Sequence, residues 1–295
     1  MNLAAAKLGV GAPDGPCSGV VRSVFANAAV LSLGVGLTAV VPAAAGGLPR
    51  GVTLDETPGL DFRRLFREGE SVAARGGVLR FSGGASVDLR AARPWRSRLA
   101  ELSLDAGDSA TARAWKTAAE ILTADRRWRA IASLGRAPIR MLCAAARRRD
   151  AASAALAISA LVGLGEGSTP AGDDLLVGFF AALCASRGRD GAGGPFAAAA
   201  GRALRAEAAR TSEASRAYLD AIADGEASER LTAVAASVAG AAPPARVADA
   251  ARAAIAVGHT SGAAGVYGLL LGFGRMAGDA IGEESERLFG DAAFA

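Results

Sequence analysis

The stretch "GLGEGSTPAGDDLLVGFF", residues 163–180, sets four glycines, a Thr-Pro step and two adjacent carboxylates directly before an apolar run. It reads as a loop feeding a helix. Thr169 is expected at the N-cap and Pro170 at the first helical position, where proline's missing N–H costs nothing. Leu175, Leu176, Phe179, Phe180 and Leu183 then mark a helix entering a core. Asp173 and Asp174 fall on or near its first turn, where carboxylates gain ~0.3–1 kcal/mol from the helix dipole. Capping alone would account for both acids, but it does not account for Gly163, Gly165, Gly167 and Gly172. Such glycines indicate a backbone that must approach something closely, and a loop of this kind at a helix N-terminus is suited to holding an anion. The loop lacks the Lys-Ser/Thr ending of a phosphate-binding P-loop and the strand context of a dinucleotide fingerprint.

A second stretch, "GHTSGAAGVYGLLLGFG" from Gly258, is built alike. Gly167-Ser-Thr169 and Gly258-His-Thr260 each lead into a glycine, Gly172 and Gly262, with another six residues on, Gly178 and Gly268. Two such helices packing through small residues would bring both loops to one rim. His259 is the only histidine of the chain. At a helix entrance it is a candidate proton donor or anion contact. Thr260 and Ser261 are capping hydroxyls or substrate hydrogen-bonders. A third patch, "ARTSEASRAYLDAIADGE" from Ala209, sets Thr211 and Ser215 one turn apart with Arg210 and Tyr218 nearby. Its polar face either caps a helix or completes the same pocket. One histidine cannot build a multi-histidine metal site, and no cofactor is indicated. Two carboxylates beside an anion would repel it unless they hold Mg²⁺, an arginine, or the N–H donors of a substrate amide.

Working outward, residues 96–295 carry helical periodicity. Asp150 opens "AASAALAISALVGLG", Pro243 and Pro244 open "ARVADAARAAIAVG", and Val247, Ala251, Ala254 and Ile255 share one apolar face. Residues 20–95 instead read as short strands punctuated by glycine pairs. "GVVRSVF", "AAVLSLGV" and "LTAVVP" are β-branched, and Val78, Leu79 and Phe81 with Val87 and Leu89 flank Ser82-Gly83-Gly84-Ala85 as a hairpin. Residues 1–19 are expected as a flexible N-terminus. The fold class is therefore α+β: a small β-rich domain over 20–95, then a larger α-helical domain over 96–295 carrying two glycine-rich helix-entrance loops.

Composition bounds the function classes. The 295 residues are 51% hydrophobic but only 5% aromatic, so the interior must be apposed Ala, Gly, Leu and Val. Of 33 basic residues only Lys7 and Lys116 are lysines, and the net charge is +4. Arg126, Arg127 and Arg129 around Trp128, and Arg147 to Arg149, form the dense basic clusters. No nucleic-acid-binding signature accompanies them, and they read as solvated helix faces with no nucleic-acid partner. Cys17, Cys143 and Cys184 are odd in number and lack CxxC spacing, which fits a reducing cytoplasm rather than disulfides or structural zinc. Residues 28–46 and 253–274 have the length of a membrane span. The first is β-branched and interrupted by Gly and Pro, and the second carries His-Thr-Ser at its centre, so neither is expected to cross a bilayer.

The motifs "GLGEGSTPAGDDLLVGF", "TSEASRAYLDAIADGE" and "VGHTSGAAGVYGLLLGF", in that order, resemble the AllH family associated with oxamate carbamoyltransferase. The N-terminal half is similar in its "VVRSVF" beginning and "RPW" ending. The family pattern commonly reads Pro and Leu where this chain has Glu166 and Ser168, so the loop surface differs here. The resemblance implies participation in carbamoyl transfer from carbamoyl phosphate to oxamate, giving oxalurate and phosphate, or the reverse, in anaerobic allantoin and purine catabolism. It also implies a protein complex with an FdrA-like subunit and a second neighbouring-family subunit, and oxamate or a related small acid amide as acceptor. On that reading Asp173 and His259 are the catalytic candidates. Gly167, Thr169, Gly172, Asp174, Thr260, Ser261, Thr211 and Ser215 are the substrate-binding candidates. A non-catalytic scaffold or small-anion-binding subunit is the alternative.

Overall fold

The computed structural model describes the chain except residues 35, 56–58, 106, 187–193, 277, 278, 294 and 295. Val35, at the end of one expected strand stretch, thus lies outside the described residues. The chain divides into two compact units, Met1–Ser97 and Arg98–Ala295.

The first unit is a single sheet of nine strands. They are β1 (Asn2–Gly9), β2 (Cys17–Phe25), β3 (Ala28–Leu33), β4 (Gly36–Val41), β5 (Gly51–Leu54), β6 (Ser71–Arg75), β7 (Val78–Phe81), β8 (Ser86–Asp88) and β9 (Arg93–Trp95). Their order is β5-β4-β3-β2-β6-β7-β8-β1-β9, and a further β5–β1 pairing closes eight of them into a ring. Period-2 alternation drives the closure: Leu31, Val72, Ala74, Leu79, Phe81 and Val87 point inward and are buried, and an eight-stranded barrel is just wide enough to be filled by such side chains. A short helical turn, Phe62–Arg64, contributes to this core, with the Phe62 ring 5.6 Å from that of Phe66, itself 4.6 Å from that of Phe81. The hairpin at Ser82–Ala85 forms, pairing Val78 with Asp88, Leu79 with Val87 and Arg80 with Ser86.

The expected flexible N-terminus is corrected. Residues 2–9 are β1, and Leu3 and Ala5 are buried in the barrel. β1 closes the ring, pairing parallel to β8 at one end and antiparallel to β5 along the other. The Ala4-Ala5-Ala6 run carries no β-branched signal, so only the alternation of burial reveals the strand.

The second unit is helical: α1 (Ser109–Ala124), α2 (Arg127–Leu134), α3 (Arg136–Arg148), α4 (Ala151–Leu161), α5 (Ala171–Ala185), α6 (Gly194–Glu207), α7 (Glu213–Ala223), α8 (Glu229–Ala239), α9 (Pro244–Ile255), α10 (Ser261–Met276) and α11 (Asp279–Ala293). Asp150 caps α4, accepting from Ala152 N and Ser153 N at 3.1 Å each. Val247, Ala251, Ala254 and Ile255 of α9 are buried as their spacing requires. The 253–274 stretch is broken by a turn between α9 and α10. Among the described residues no helix is long and apolar enough to cross a membrane.

α5 lies at the centre of this unit, with Leu175, Leu176, Phe179, Phe180 and Leu183 all buried. One detail of its start differs from the sequence reading. Pro170 occupies the N-cap and Thr169 makes no capping bond, because the helix begins one residue later, at Ala171. The Thr169 hydroxyl is thereby released for another partner.

Candidate functional site

The site begins with how α5 and α10 pack. A Cβ on Gly178 would lie 1.9 Å from Gly265 O, and one on Gly268 would lie 1.9 Å from Leu175 O. Only glycine permits that approach. The contacts advance together, Leu175 with Gly268 and then Phe179 and Ala182 with Gly272, so the helices run parallel and both N-termini open at one rim. Each N-terminus carries the partial positive charge of its helix dipole, although most first-turn amides already have partners: Gly172 N on Leu164 O and Asp173 N on Pro170 O in α5, and Gly262 N on Val257 O in α10.

The loop before α5 turns sharply, with Gly163, Gly165 and Gly167 at φ 77°, 115° and 92°. Asp173 holds it. This side chain is buried, one oxygen accepting from Gly163 N at 2.8 Å and the other from the Thr211 hydroxyl. Both oxygens of Asp173 are thus committed to protein donors. Gly172 N donates to Leu164 O at 2.8 Å. Ser212, the N-cap of α7, accepts from Ser215 N at 3.0 Å and donates through its hydroxyl to Ser168 O. The third sequence patch therefore docks on the first, with Thr211 acting on Asp173 rather than as a cap.

Asp174 is placed differently. Its Oδ2 is buried and has no hydrogen-bond partner among the described residues. The Thr169 and Ser261 hydroxyls lie 2.7 Å from each other. Both act on the Asp174 carboxyl in favour of its ionised form. Burial outweighs them and, with the charge of Asp173, pushes the Asp174 pKa up to about 7. Tyr218 on α7 is a further titratable neighbour; burial first, then the charge of Asp174, pushes its phenol up. The rim thus gathers an acid that exchanges its proton near neutrality, two hydroxyls and a phenol.

The other candidates fall into two groups. Ser215 is buried, its hydroxyl without a partner among the described residues, one turn before Tyr218 on α7. His259 is exposed in the α9–α10 turn, and no hydrogen bond joins its imidazole to the acid pair among the described residues. Its carbonyl instead accepts from Arg127 Nη1 at 2.7 Å. Thr260 accepts from Ala264 N through its carbonyl at 2.9 Å, in the capping role. Gly167 has open space where a Cβ would stand, whereas a Cβ on Gly172 would meet Leu161 O at 2.1 Å, so Gly172 serves packing against α4.

Arg127, read from sequence as part of a solvated basic face, anchors the rim. It pairs with Asp125 at 2.7 Å and donates to Ile255 O and His259 O. At the far end of α2, Leu134 Cδ2 would lie 3.4 Å from a Cβ on Gly165, so this short helix reaches both loops. Arg210 is likewise structural, donating to Ser159 O at 3.0 Å and pairing with Glu207. The donor set does not fit Mg²⁺: both Asp173 oxygens are engaged by protein donors, and no cluster of three His, Cys, Asp or Glu exists among the described residues.

Residues 161–273 match the model of the AllH family, described as oxamate carbamoyltransferase subunit AllH. All three motifs quoted above, and the whole rim from Gly163 through Asp173, Asp174, Thr211 and Tyr218 to Ser261, fall inside that span. No curated protein and no solved structure matches the chain.

Proposed function

Proceeding from that match, we propose that this chain is the AllH-like subunit of a cytoplasmic carbamoyltransferase complex. The complex transfers the carbamoyl group of carbamoyl phosphate to oxamate, giving oxalurate and phosphate, or runs the reverse reaction in allantoin and purine nitrogen catabolism. An FdrA-like subunit and a second neighbouring-family subunit complete it. The observation that carries the reading is the rim itself. Two parallel helix N-termini favour an anionic group, and between them stand paired hydroxyls and an acid with one open oxygen.

Carbamoyl transfer needs donors on the carbamoyl oxygen and phosphate, and restraint of the acceptor amide in attack geometry. The loop amide of Gly167 and the Thr169 and Ser261 hydroxyls supply donors for the carboxylate of oxamate, and the two helix dipoles favour its negative charge. His259, exposed beside Thr260, is free to donate to an oxygen of the phosphate. Asp173 fixes the loop that carries these donors.

The test is oxamate-dependent phosphate release from carbamoyl phosphate by this chain alone and reconstituted with the subunits encoded beside it. Release by the reconstituted complex, lost when Thr169→Val and Ser261→Ala are combined, supports the assignment. Undiminished release in that variant moves the chemistry to another subunit. A second reading, a non-catalytic subunit whose rim docks a partner protein, draws on the exposed Leu134 and Val257 beside the two loops. It predicts that the same variant fails to co-purify with its partners.

A further inference from the structure

Adjacent acids on one helical turn have opposite fates at this rim. Asp173 is saturated, its oxygens taken by Gly163 N–H and the Thr211 hydroxyl. Asp174 keeps a buried Oδ2 without a partner among the described residues. A buried acceptor left open costs free energy unless something fills it. The buried Ser215 hydroxyl on α7 likewise has no partner among the described residues. We propose that the open oxygen of Asp174 accepts the amide N–H of a small carboxamide acid, and that Asp174, not Asp173, is the base that takes the amide proton. This rests on the function proposed above and moves the catalytic role one residue along the chain.

The groups facing Asp174 suit that task. Its own helix contributes the carboxylate of Asp173, α10 the Ser261 hydroxyl, the loop the Thr169 hydroxyl, and α7 the Tyr218 phenol. No arginine, lysine or histidine among the described residues acts on it. Without a cation to hold it ionised, the acid is poised between its two states near neutral pH, where a base both accepts and returns a proton readily.

The step balances with no further reactant. The amide nitrogen of oxamate attacks the carbonyl carbon of carbamoyl phosphate and a C–N bond forms. The amide proton passes to Asp174. The C–O bond to phosphorus's oxygen breaks, its electron pair leaving with phosphate. Asp174 then returns the proton to the departing phosphate, and oxalurate and hydrogen phosphate result. Thr169 and Ser261 position the amide by hydrogen bonding.

The experiment pairs turnover with a direct view of the carboxyl group. In the reconstituted complex the wild-type kcat/KM for oxamate is expected to rise with pH through about 7. Asp174→Asn should lower kcat at least 100-fold and remove that pH dependence, while oxamate affinity stays within a few-fold and Asp174→Glu recovers part of the rate. In the isolated chain, difference infrared spectroscopy should show a protonated carboxyl band, absent from Asp174→Asn, that shifts when oxamate is added. An Asp174→Asn complex with wild-type rate and pH profile overturns the proposal. A wild-type complex that releases no phosphate overturns the transferase reading instead. In that case an oxamate-responsive band still supports the amide contact at Asp174, and an unresponsive band overturns it.

Discussion

Thr169 Oγ1 and Ser261 Oγ lie 2.7 Å apart across 92 residues of sequence. That single bond joins the two glycine-rich loops at the entrances of α5 and α10, and it forms because Pro170 rather than Thr169 takes the N-cap position. A hydroxyl released from capping becomes part of the rim.

The close approach of α5 and α10 sets the geometry of everything above it. Gly178→Val should force the helices apart, since its Cβ would lie 1.9 Å from Gly265 O. A loss of about 3 kcal/mol is expected, the upper range for overpacking. Gly201→Ala, on α6 with nothing within 4 Å of the new Cβ, should instead stabilise by ~0.5–1 kcal/mol. Chemical denaturation of the two variants checks both signs.

Thr211→Val removes one of the two donors that satisfy Asp173 while keeping the side-chain shape. Leaving a buried carboxylate oxygen unpaired costs about 1–3 kcal/mol. The loss should be accompanied by faster amide exchange at Gly163, whose N–H depends on the other oxygen of the same carboxylate. Exchange at Gly163 unchanged from wild type would show that the clamp does not act as a unit.

Asp174 makes a specific contribution to stability against pH. Its folded pKa is raised to about 7 from the ordinary aspartate value of 3.8, so between those values the native state holds a proton that the unfolded chain has lost. Its contribution to stability therefore falls as pH rises from about 4 to about 7 and levels off above. Asp174→Asn should be more stable than wild type at pH 8 and lose that advantage towards pH 4. Carboxylates with lowered values, such as Asp88 and Asp125, act in the opposite sense at lower pH and cancel in the comparison.

Arg127→Ala should loosen the α9–α10 turn. The side chain donates to Ile255 O and His259 O and is held by Asp125. Charge-assisted bonds of this type contribute roughly 1.5–3 kcal/mol together with their buried acceptors. Hydrogen exchange should rise selectively over residues 256–264. If the whole helical unit loses protection equally, the arginine supports the global core rather than the turn.

The α+β division and the pairing of the two loops were legible because glycine, proline and period carry local signals. Gly178 and Gly268 pointed to small-residue packing, and Ser82-Gly83-Gly84-Ala85 to a hairpin. β1 was not legible, since Ala4-Ala5-Ala6 favours helix over strand by local propensity and its place is fixed by long-range pairing with β5 and β8. The difference between Asp173 and Asp174 was equally hidden. It depends on Gly163 and Thr211 reaching one acid and not the other, which only tertiary structure sets. Arg127 looked like any residue of a basic surface run, and its role arises from carbonyls more than 120 positions away.

The most direct test of the account is a calorimetric titration of oxamate into the isolated chain, set beside Ser261→Ala and Asp174→Asn. The account predicts saturable binding at one site. Ser261→Ala should weaken it about 5- to 20-fold, near the 1–2 kcal/mol of one lost hydrogen bond, while Asp174→Asn stays within a few-fold and changes how affinity depends on pH. Binding untouched by Ser261→Ala, with a pH dependence identical in all three folded proteins, would place the ligand away from the α5–α10 rim and contradict the account.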